Sequence, residues 1–247
     1  MKPFFSIIIP SLNEEFALPL LFKDLSSQTF KNFEVILVDS YSEDKTTKKA
    51  SKFLNKLNLQ ITFSNQRNVS IQRNLGVKTA KGKYLIFCDA DNRLPSYFLE
   101  GIKYNLNRKP TQIFTCWCQA DSQKKADKAI ATLINITIEA ANKLNYPGAL
   151  GAMIGCTPKA FKKIGQFNPN ITFAEDAEFI RRASKKNIDF KIFKDPHFTV
   201  SFRRFRQQGR LKSLQQYAKL HLKTITQKSI NRQEYLTGGQ TFENNGS

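Results

Sequence analysis

The 247-residue sequence has no apolar run near the roughly 18–20 residues that are needed to cross a bilayer. Its first apolar run, Ser6–Ile9, is short and is followed at once by Pro10, unlike the core of a secretory signal peptide. These absences predict a cytoplasmic protein. A peripheral position on the inner face of the cell membrane stays open as an alternative.

Glycine-rich phosphate-binding motifs are also missing, since neither a P-loop nor a G-x-G-x-x-G pattern occurs. Only four cysteines are present, and the one closely spaced pair, Cys116 and Cys118, has no matching second pair for a metal site. We expect reduced, buried thiols that pack as small apolar side chains. These patterns therefore supply neither a nucleotide site nor a metal site.

Acidic residues are scarce: 20 Asp and Glu stand against 39 Lys and Arg, which gives a formal net charge of +19. Between Pro196 and Gln233 there are nine basic residues and no acid. Such a run favours binding to phosphate groups, whether these belong to nucleic acid, to a lipid surface or to a diphosphate ligand. A solvated basic helix that only aids solubility is the alternative.

Apolar runs that alternate with amphipathic segments predict an α/β domain with a mostly parallel sheet flanked by helices. The predicted strands are Phe5–Ile9, Phe33–Val38, Gln60–Phe63, Tyr84–Cys88, Gln112–Cys118, Asp189–Phe193 and His197–Phe202. The predicted helices are Asn13–Leu25, a helix from about Ser42 to Leu57, Val69–Ala80, Pro95–Leu106, Ala126–Leu144, Pro158–Ile164, Asp176–Lys186 and the basic Leu211–Thr226. The small-residue stretch 147–155 is either a ligand-facing loop or a turn into a core strand.

Carboxylates follow the predicted strands. Asp89 and Asp91 come after the fourth strand, and because strand residues two apart point the same way, both can face one cation. Oxygen ligands suit Mg²⁺ or Mn²⁺, which often complete their shell with phosphate oxygens. Asp39 ends the second strand, and Glu175 with Asp176 opens a helix. Solvated turns and helix caps are the structural alternatives, but together these carboxylates indicate an enzyme that handles a nucleotide diphosphate.

The order of these motifs resembles that of the family 2 glycosyltransferases, over Phe4 to about Gly209. The matching segments are 6–15 (SIIIPSLNEE), 38–46 (VDSYSEDKT), 73–76 (RNLG), 80–82 (AKG), 88–91 (CDAD), 164–168 (IGQFN) and 175–179 (EDAEF). The resemblance implies a Rossmann-like GT-A fold. It also implies an inverting transfer of a sugar from a nucleotide-diphosphate donor to a hydroxyl acceptor, in envelope glycan or glycolipid synthesis.

The resemblance implies one domain over residues 1–232. The donor-binding half would extend to about residue 110 and the acceptor half to about 210, before a basic helix at about 211–228 and a flexible tail at 233–247. Within the donor half, Pro10, Ser11, Asn13 and Glu14 would line the nucleotide pocket, and Asp39 would hydrogen-bond the base or the ribose. Helix capping by Ser11 or Asn13 and an Asx-turn at Asp39 are the structural alternatives.

The remaining roles that the resemblance implies concern the reaction centre. Arg73 would approach the donor's uracil or diphosphate, unless it is an exposed helix arginine. Asp91 would bind Mn²⁺ or Mg²⁺, and Asp89 would bind the metal, a metal-bound water or the ribose. Asp176 would be the general base for the acceptor hydroxyl, with Glu175 also in contact with substrate. The alternative for this acidic pair is a helix N-terminus favoured by the macrodipole.

Two positions depart from the family pattern. Tyr41 replaces a small residue in the usual Asp-Asp-Gly-Ser sequence. His197 is the nearest candidate for the metal-binding histidine of many relatives, although it lies four or five residues before the usual place. Arg203 and Arg204 instead resemble a subset with paired arginines, which could clamp the diphosphate.

The expected partners are a UDP, GDP or dTDP sugar, a hydroxyl acceptor that could be lipid-linked, and an anionic membrane surface; no nucleic acid is expected. The rival hypothesis is a nucleic-acid- or phosphate-binding protein on a catalytically inactive GT-A fold, which the net charge of +19 favours. Such a protein would not require Asp89, Asp91 and Asp176 together.

Overall fold

A computed structural model describes residues 2–144, 151–171 and 174–203. The strands in these ranges are β1 Phe5–Ser11, β2 Phe33–Asp39, β3 Leu59–Phe63, β4 Tyr84–Cys88, β5 Ile113–Ala120, β6 Met153–Cys156 and β7 Phe190–Val200. The helices are α1 Leu18–Ser26, α2 Thr46–Ala50, α3 Val69–Thr79, α4 Phe98–Arg108, α5 Lys125–Lys143, α6 Pro158–Ile164 and α7 Glu175–Lys185. The strands form one sheet in the order β3-β2-β1-β4-β6-β5-β7.

The direction of the strands brings several strand ends to one edge of the sheet. Strands β3, β2, β1 and β4 pair in parallel, and so do β5 and β7, whereas β6 runs antiparallel to both of its neighbours. The prediction of a mostly parallel sheet flanked by helices is therefore confirmed. Ser11 pairs with Asp39 and Asp39 with Phe63, so the carboxyl ends of β1, β2 and β3 are level. In open α/β sheets this edge is where ligands bind.

Apolar side chains cover both faces of the central strands. Every residue of β1, β2 and β4 is buried, as the continuous apolar sequence of these strands predicts for a sheet with helices on both sides. Ile7 and Ile9 belong to one core cluster with Phe22 of α1, and Ile8 belongs to a second cluster with Phe179 of α7. The core between the sheet and the helices is therefore mainly apolar around these strands.

The predicted helix Asn13–Leu25 begins too early, because α1 starts at Leu18. Asn13 has a left-handed backbone with φ of 56°, which a right-handed helix does not accept. The backbone N–H groups of Asn13 and Glu14 donate to the side chains of Ser42 and Thr46. Phe16 is 79% exposed and so takes no part in the core. Residues 13–17 are thus a loop tied to the neighbouring β2–α2 connection.

Two other predicted boundaries are wrong. Helix α2 ends at Ala50 and continues only as a 3-10 turn, Ser51–Phe53, instead of reaching Leu57. Only Thr46 and Ala50 of α2 are buried, so this segment has no apolar stripe to support a longer helix. The two predicted strands on either side of Pro196 are one strand, β7, which passes this proline through a shift in its register with β5. Because β7 is an edge strand, the missing N–H of the proline is tolerated there.

All four cysteines are free and buried. Burial raises the pKa of the Cys88 and Cys118 thiols to about 12, and it also raises the pKa of Cys116 and Cys156. The thiols are therefore protonated near neutral pH and pack as small apolar groups, as the sequence predicts.

Several predictions fall outside the described residues: Arg204, the basic helix Leu211–Thr226 and the tail 233–247, together with 147–150 of the small-residue stretch. The end of that stretch forms β6, a core strand. In the part of the chain that the structure describes, no helix is both long and apolar enough to cross a membrane.

Candidate active site

Asp39 joins the loops that follow β1 and β2. Its carboxylate accepts a hydrogen bond from the Ser11 hydroxyl at 2.7 Å, and others from the backbone N–H and hydroxyl of Ser42 at 2.7 and 2.6 Å. Asp39 is completely buried, so these three donors replace the water that its charge would otherwise require. The backbone donor, Ser42, is three residues after Asp39, one further than in an Asx-turn. The carboxylate fixes the positions of both loops.

Further hydrogen bonds attach the β1–α1 loop to the β2–α2 loop. The Asn13 side-chain oxygen accepts from the Glu43 N–H at 2.9 Å, and the Asn13 N–H donates to Ser42 Oγ at 2.9 Å. Gln72 of α3 donates from Nε2 to the carbonyl oxygens of Ser11 and Val38, at 2.9 and 2.8 Å. Hydrogen bonds thus join Ser11, Asn13 and Asp39 in one network between the two loops.

Tyr41 has a left-handed backbone with φ of 53°. This conformation is accessible to glycine but costs other residues about 1–2 kcal/mol, which explains the small residue usual at this place. The exposed Tyr41 ring stacks on Phe63 at the end of β3, with 5.3 Å between ring centroids. An aromatic pair therefore lies beside the β2–α2 loop, at the end of β3.

Arg73 of α3 connects two acidic elements of the site. Its guanidinium donates from Nη2 to Asp89 Oδ1 at 3.0 Å and from Nη1 to Glu175 Oε1 at 2.8 Å. Nη2 also donates to the Gly151 carbonyl at 3.0 Å, and the guanidinium lies over the Phe167 ring at 5.1 Å. Only 2% of the Arg73 side chain is exposed, which excludes the alternative of an exposed helix arginine.

The turn that carries Asp89 and Asp91 is held by backbone contacts. The Asp89 N–H donates to the Ala152 carbonyl at 3.0 Å, and the buried Asn92 side chain donates to the same carbonyl at 2.5 Å. Arg93 exchanges two backbone hydrogen bonds with Thr199 of β7, each 2.9 Å long. The turn is therefore fixed between β6 and β7.

Glu14 shares an electrostatic environment with this turn. Burial and then the Asp91 charge raise the pKa of Glu14 to about 7, against the opposing charge of Arg203. Burial also raises the pKa of Asp89 to about 6, although the Arg73 cation opposes the shift. The structure thus brings Glu14, Asp89, Asp91 and Arg203 together, and their carboxylates favour the approach of a cation.

The donor set fits a hard divalent ion only in part. Asp89 and Asp91 offer the carboxylate oxygens that Mg²⁺ and Mn²⁺ prefer, but the described residues contain no cluster of three His, Cys, Asp or Glu side chains that could hold a metal. His197 does not join these aspartates in such a cluster; it lies 5.9 Å from the Trp117 ring and 3.8 Å from Asp195. Asp89 and Asp91 alone therefore do not complete the ligand set of such an ion.

Asp176 is the second residue of α7, after Glu175. Ala174, which precedes the helix, has a left-handed φ of 54°. Burial and then the Glu175 charge raise the pKa of Asp176 to about 7, against the hydrogen bond from Ala177 N–H and the Arg73 charge. A carboxyl with this pKa can accept and release a proton near neutral pH. Because Arg73 binds Glu175 and Asp89, the start of α7 is held next to the Asp89–Asp91 turn.

A methyl group at Gly151 would displace Asp176. A Cβ atom there would lie 2.8 Å from Oδ2 and 2.9 Å from Cγ of Asp176. We expect Gly151→Ala to lower turnover on the order of tenfold or more, because small displacements of a reacting group are costly. The measurement is the release of nucleoside diphosphate from the donor. Gly101→Ala is the control, because its Cβ would also make a tight contact, 3.0 Å from Cδ of Pro196, but away from Asp176. Equal turnover in the two variants would contradict the prediction.

Sequence reasoning missed Gln72, Asn92 and Phe167 as site residues. Gln72 stands immediately before Arg73, and Phe167 lies inside the quoted Ile-Gly-Gln-Phe-Asn segment, so their positions were marked by neighbouring motifs. Nothing in the local sequence signals that Asn92 is completely buried.

The chain belongs to glycosyl transferase family 2, whose model matches residues 6–208. The fold is GT-A, as the resemblance predicts.

Individual relatives match parts of the chain. The poly(ribitol-phosphate) beta-N-acetylglucosaminyltransferase TarS of Staphylococcus aureus is 36% identical over 92 residues, which is 36% of this chain and 16% of TarS. A cholesterol galactosyltransferase of Borreliella burgdorferi is 34% identical over 113 residues, 45% of this chain and 31% of that protein. An uncharacterized glycosyltransferase of Haemophilus influenzae is 26% identical over 200 residues, 78% of this chain and 63% of that protein. The matched segments thus span less than two thirds of each of these relatives.

Solved structures show the same fold. S. aureus TarS 1–349 in complex with UDP-GlcNAc superposes with a TM-score of 0.67 at 22% identity, over 82% of this chain and 59% of that one. A mannosyltransferase from Pyrobaculum calidifontis in complex with GDP-Man and Mn²⁺ gives a TM-score of 0.66 at 17% identity, over 81% and 57%.

Proposed function

We propose that this chain transfers a sugar from a nucleotide-diphosphate donor to a hydroxyl acceptor, with inversion at the anomeric carbon. The observation that carries the proposal is the Arg73 bridge: one buried cation contacts both Asp89, in the candidate donor site, and Glu175, next to the candidate base Asp176. A purely structural acidic helix start would not need a buried link to the Asp89–Asp91 turn.

The donor would bind along the carboxyl edge of the sheet. Pro10, Ser11, Asn13 and Glu14 would form the pocket for the nucleoside. Asp39 would hold this pocket in shape and offer its remaining acceptor capacity to the base or ribose, since a carboxylate accepts about four hydrogen bonds. Three are already accounted for by Ser11 and Ser42.

The diphosphate would lie beside Asp89, Asp91 and Arg203. Asp91, with Asp89, would hold Mn²⁺ or Mg²⁺, which would supply Lewis-acid stabilisation of the leaving diphosphate. Arg203 would contact the diphosphate as well, because it already lies close enough to lower the pKa of Glu14. Phe202, next to it, donates its N–H to Asp121 Oδ1 at 2.9 Å, which fixes the start of this segment. Arg204 would extend the clamp.

Asp176 would take the proton from the acceptor hydroxyl as the oxygen attacks the anomeric carbon from the face opposite the leaving group. Its raised pKa, about 7, makes it a better base than an ordinary aspartate at neutral pH. Single displacement by such a base inverts the anomeric configuration, by the same geometric logic as in inverting glycosidases. Glu175, held by Arg73, would keep Asp176 oriented.

The acceptor would be a hydroxyl of an envelope glycan or a glycolipid. The names of the relatives support this class, since they include a transferase for poly(ribitol-phosphate) and one for cholesterol. The chain would act in the cytoplasm, and its basic residues between Pro196 and Gln233 would favour a position on the anionic inner face of the membrane.

Thermal unfolding with nucleotides tests the donor site. We expect UDP, GDP or dTDP to raise the melting temperature in the presence of Mn²⁺, and excess EDTA to reduce the rise. At a ligand concentration about 100 times Kd the shift should be on the order of 5–10 °C. UDP is the first candidate.

Two variants sharpen this experiment. Asp91→Asn should lose the Mn²⁺-dependent part of the shift, whereas Asp189→Asn, on the surface before β7, should keep all of it. A folded protein that shows no shift with any of the three nucleotides would overturn the proposed donor site.

A further inference from the structure

Helix α5 presents apolar side chains to solvent on its outer face. Leu133 and Ile136 are 55% and 52% exposed, and Leu144, directly after the helix, is 79% exposed. Their spacing places them on one face, opposite the buried Asp127, Ala131 and Asn135. Among the described residues, nothing that packs on α5 covers this apolar stripe.

A basic cleft adjoins the end of this stripe. It has a volume of about 670 Å³ and is formed by the ends of α4 and α5 and the start of β7. Its charged lining residues are Arg108, Lys109, Lys143, Lys191, Lys194 and Glu139. Because β5 and β7 start at the sheet edge opposite the carboxyl ends of β1 and β4, the cleft is separate from the candidate active site.

The charges of the cleft are not balanced by its one carboxylate. Glu139 accepts a hydrogen bond from the Trp117 indole at 3.0 Å and lies 3.5 Å from Lys194. Lys191 pairs only loosely with Asp189, at 3.7 Å. Arg108, Lys109 and Lys143 add three further cations to the same cleft. Such an excess of one charge favours binding of a surface of the opposite sign.

We propose that the α5 stripe and the basic cleft form one interface that binds the anionic headgroups of a lipid bilayer. Lys143 lines the cleft while Leu144, the next residue, is exposed beside the stripe. A bilayer offers anionic phosphate and hydrocarbon within a few ångströms of each other, so both parts of the interface are satisfied together.

Other occupants fit these observations less well. A nucleic acid or a polyanionic glycan would neutralise the lysines but would leave Leu133, Ile136 and Leu144 in water. A second copy of the chain would cover the apolar stripe but would bring two basic clefts together in a protein whose net charge is +19. The bilayer satisfies both the apolar and the cationic part.

Sedimentation of the full-length chain with vesicles tests the interface, and it requires neither nucleotide nor acceptor. We expect binding to vesicles that contain phosphatidylglycerol and little binding to phosphatidylcholine alone. The triple variant Lys143→Glu, Lys191→Glu, Lys194→Glu should lower the partition coefficient on the order of 100-fold or more, because each cation near an anionic surface contributes appreciably. Leu133→Asp with Ile136→Asp should lower it at least about tenfold.

A charge-matched control separates this interface from the net charge of the protein. Lys48, Lys52 and Lys56 are exposed on and after α2. Helices α2 and α5 cover the same face of the sheet but follow β2 and β5, which stand near opposite ends of the strand order, so the triple change of these lysines to Glu should leave most of the binding intact. Equal losses of vesicle binding in the two triple variants would overturn the proposal. Unchanged vesicle binding of the Leu133 and Ile136 variant, or no vesicle binding by the wild type, would overturn it as well. Concentration-dependent dimers that the Leu133 and Ile136 variant abolishes would overturn it in favour of a second copy. The nucleotide-dependent rise in melting temperature is measured separately. A failure of the membrane interface can therefore be distinguished from a failure of the proposed donor site.

Discussion

Replacing Asp176 by asparagine is expected to reduce sugar transfer by about 10²–10⁴-fold while nucleotide binding is retained. An amide has nearly the size of a carboxylate but cannot accept a proton at neutral pH. The fold should not suffer, because the burial that raises the pKa of Asp176 to about 7 shows that its charged form is costly there. Asparagine removes this charge.

The two readouts of this experiment are turnover, as nucleoside diphosphate released from the donor, and the nucleotide-dependent rise in melting temperature. Asp189→Asn makes the same chemical change at an exposed position and should leave both readouts unchanged. Asp176 would have no part in the mechanism if the asparagine variant turned over at the wild-type rate. A loss of the melting shift together with turnover would instead assign Asp176 to donor binding.

Replacing Arg73 by methionine is expected to destabilise the protein by about 3–5 kcal/mol and to abolish transfer. The change preserves the volume of the side chain but leaves Glu175 and Asp89 without their shared cation. Glu175 is 13% exposed and Asp89 is 36% exposed. Because Asp89 reaches water, the loss of unfolding free energy should lie nearer to about 3 kcal/mol than to about 5 kcal/mol.

The stability change is measured by urea unfolding, and Arg67→Met is the control. Arg67 also forms an ion pair with a glutamate, Glu43, but both side chains are mostly exposed, and such pairs contribute about 0–1 kcal/mol. Equal losses in the two variants would show that the burial of Arg73 has no energetic consequence. Arg73→Lys is informative as well, since one ammonium cannot reproduce the two guanidinium contacts.

The strands within residues 1–110 could be predicted from the sequence because their signals are local. Continuous apolar runs predicted β1, β2 and β4, whose residues are all buried. The start of α1 could not be predicted, because it is decided by hydrogen bonds that join Asn13 to Ser42 and Glu43. These partners are 29 and 30 positions further along the chain. Patterns within one segment do not contain such contacts.

The same distinction applies to the site. Asp89, Asp91 and Asp176 could be found because each follows a strand or opens a helix within a recognisable segment. The burial of Arg73 could not be found, since its partners lie 16 and 102 residues away. The left-handed backbone of Tyr41 also lacks a local signal, because a tyrosine there does not show the conformational preference that a glycine would.

The burial of the four cysteines has a practical consequence for spectroscopy. Thiol reagents attack the thiolate, and groups that are both buried and protonated react slowly. A single cysteine placed on the surface, for example at Leu133 or at Lys48, should therefore take up a fluorescent or spin label in the otherwise unmodified chain. Labels at these two sites, near opposite ends of the sheet, would report by their change in environment which end of the protein contacts a vesicle.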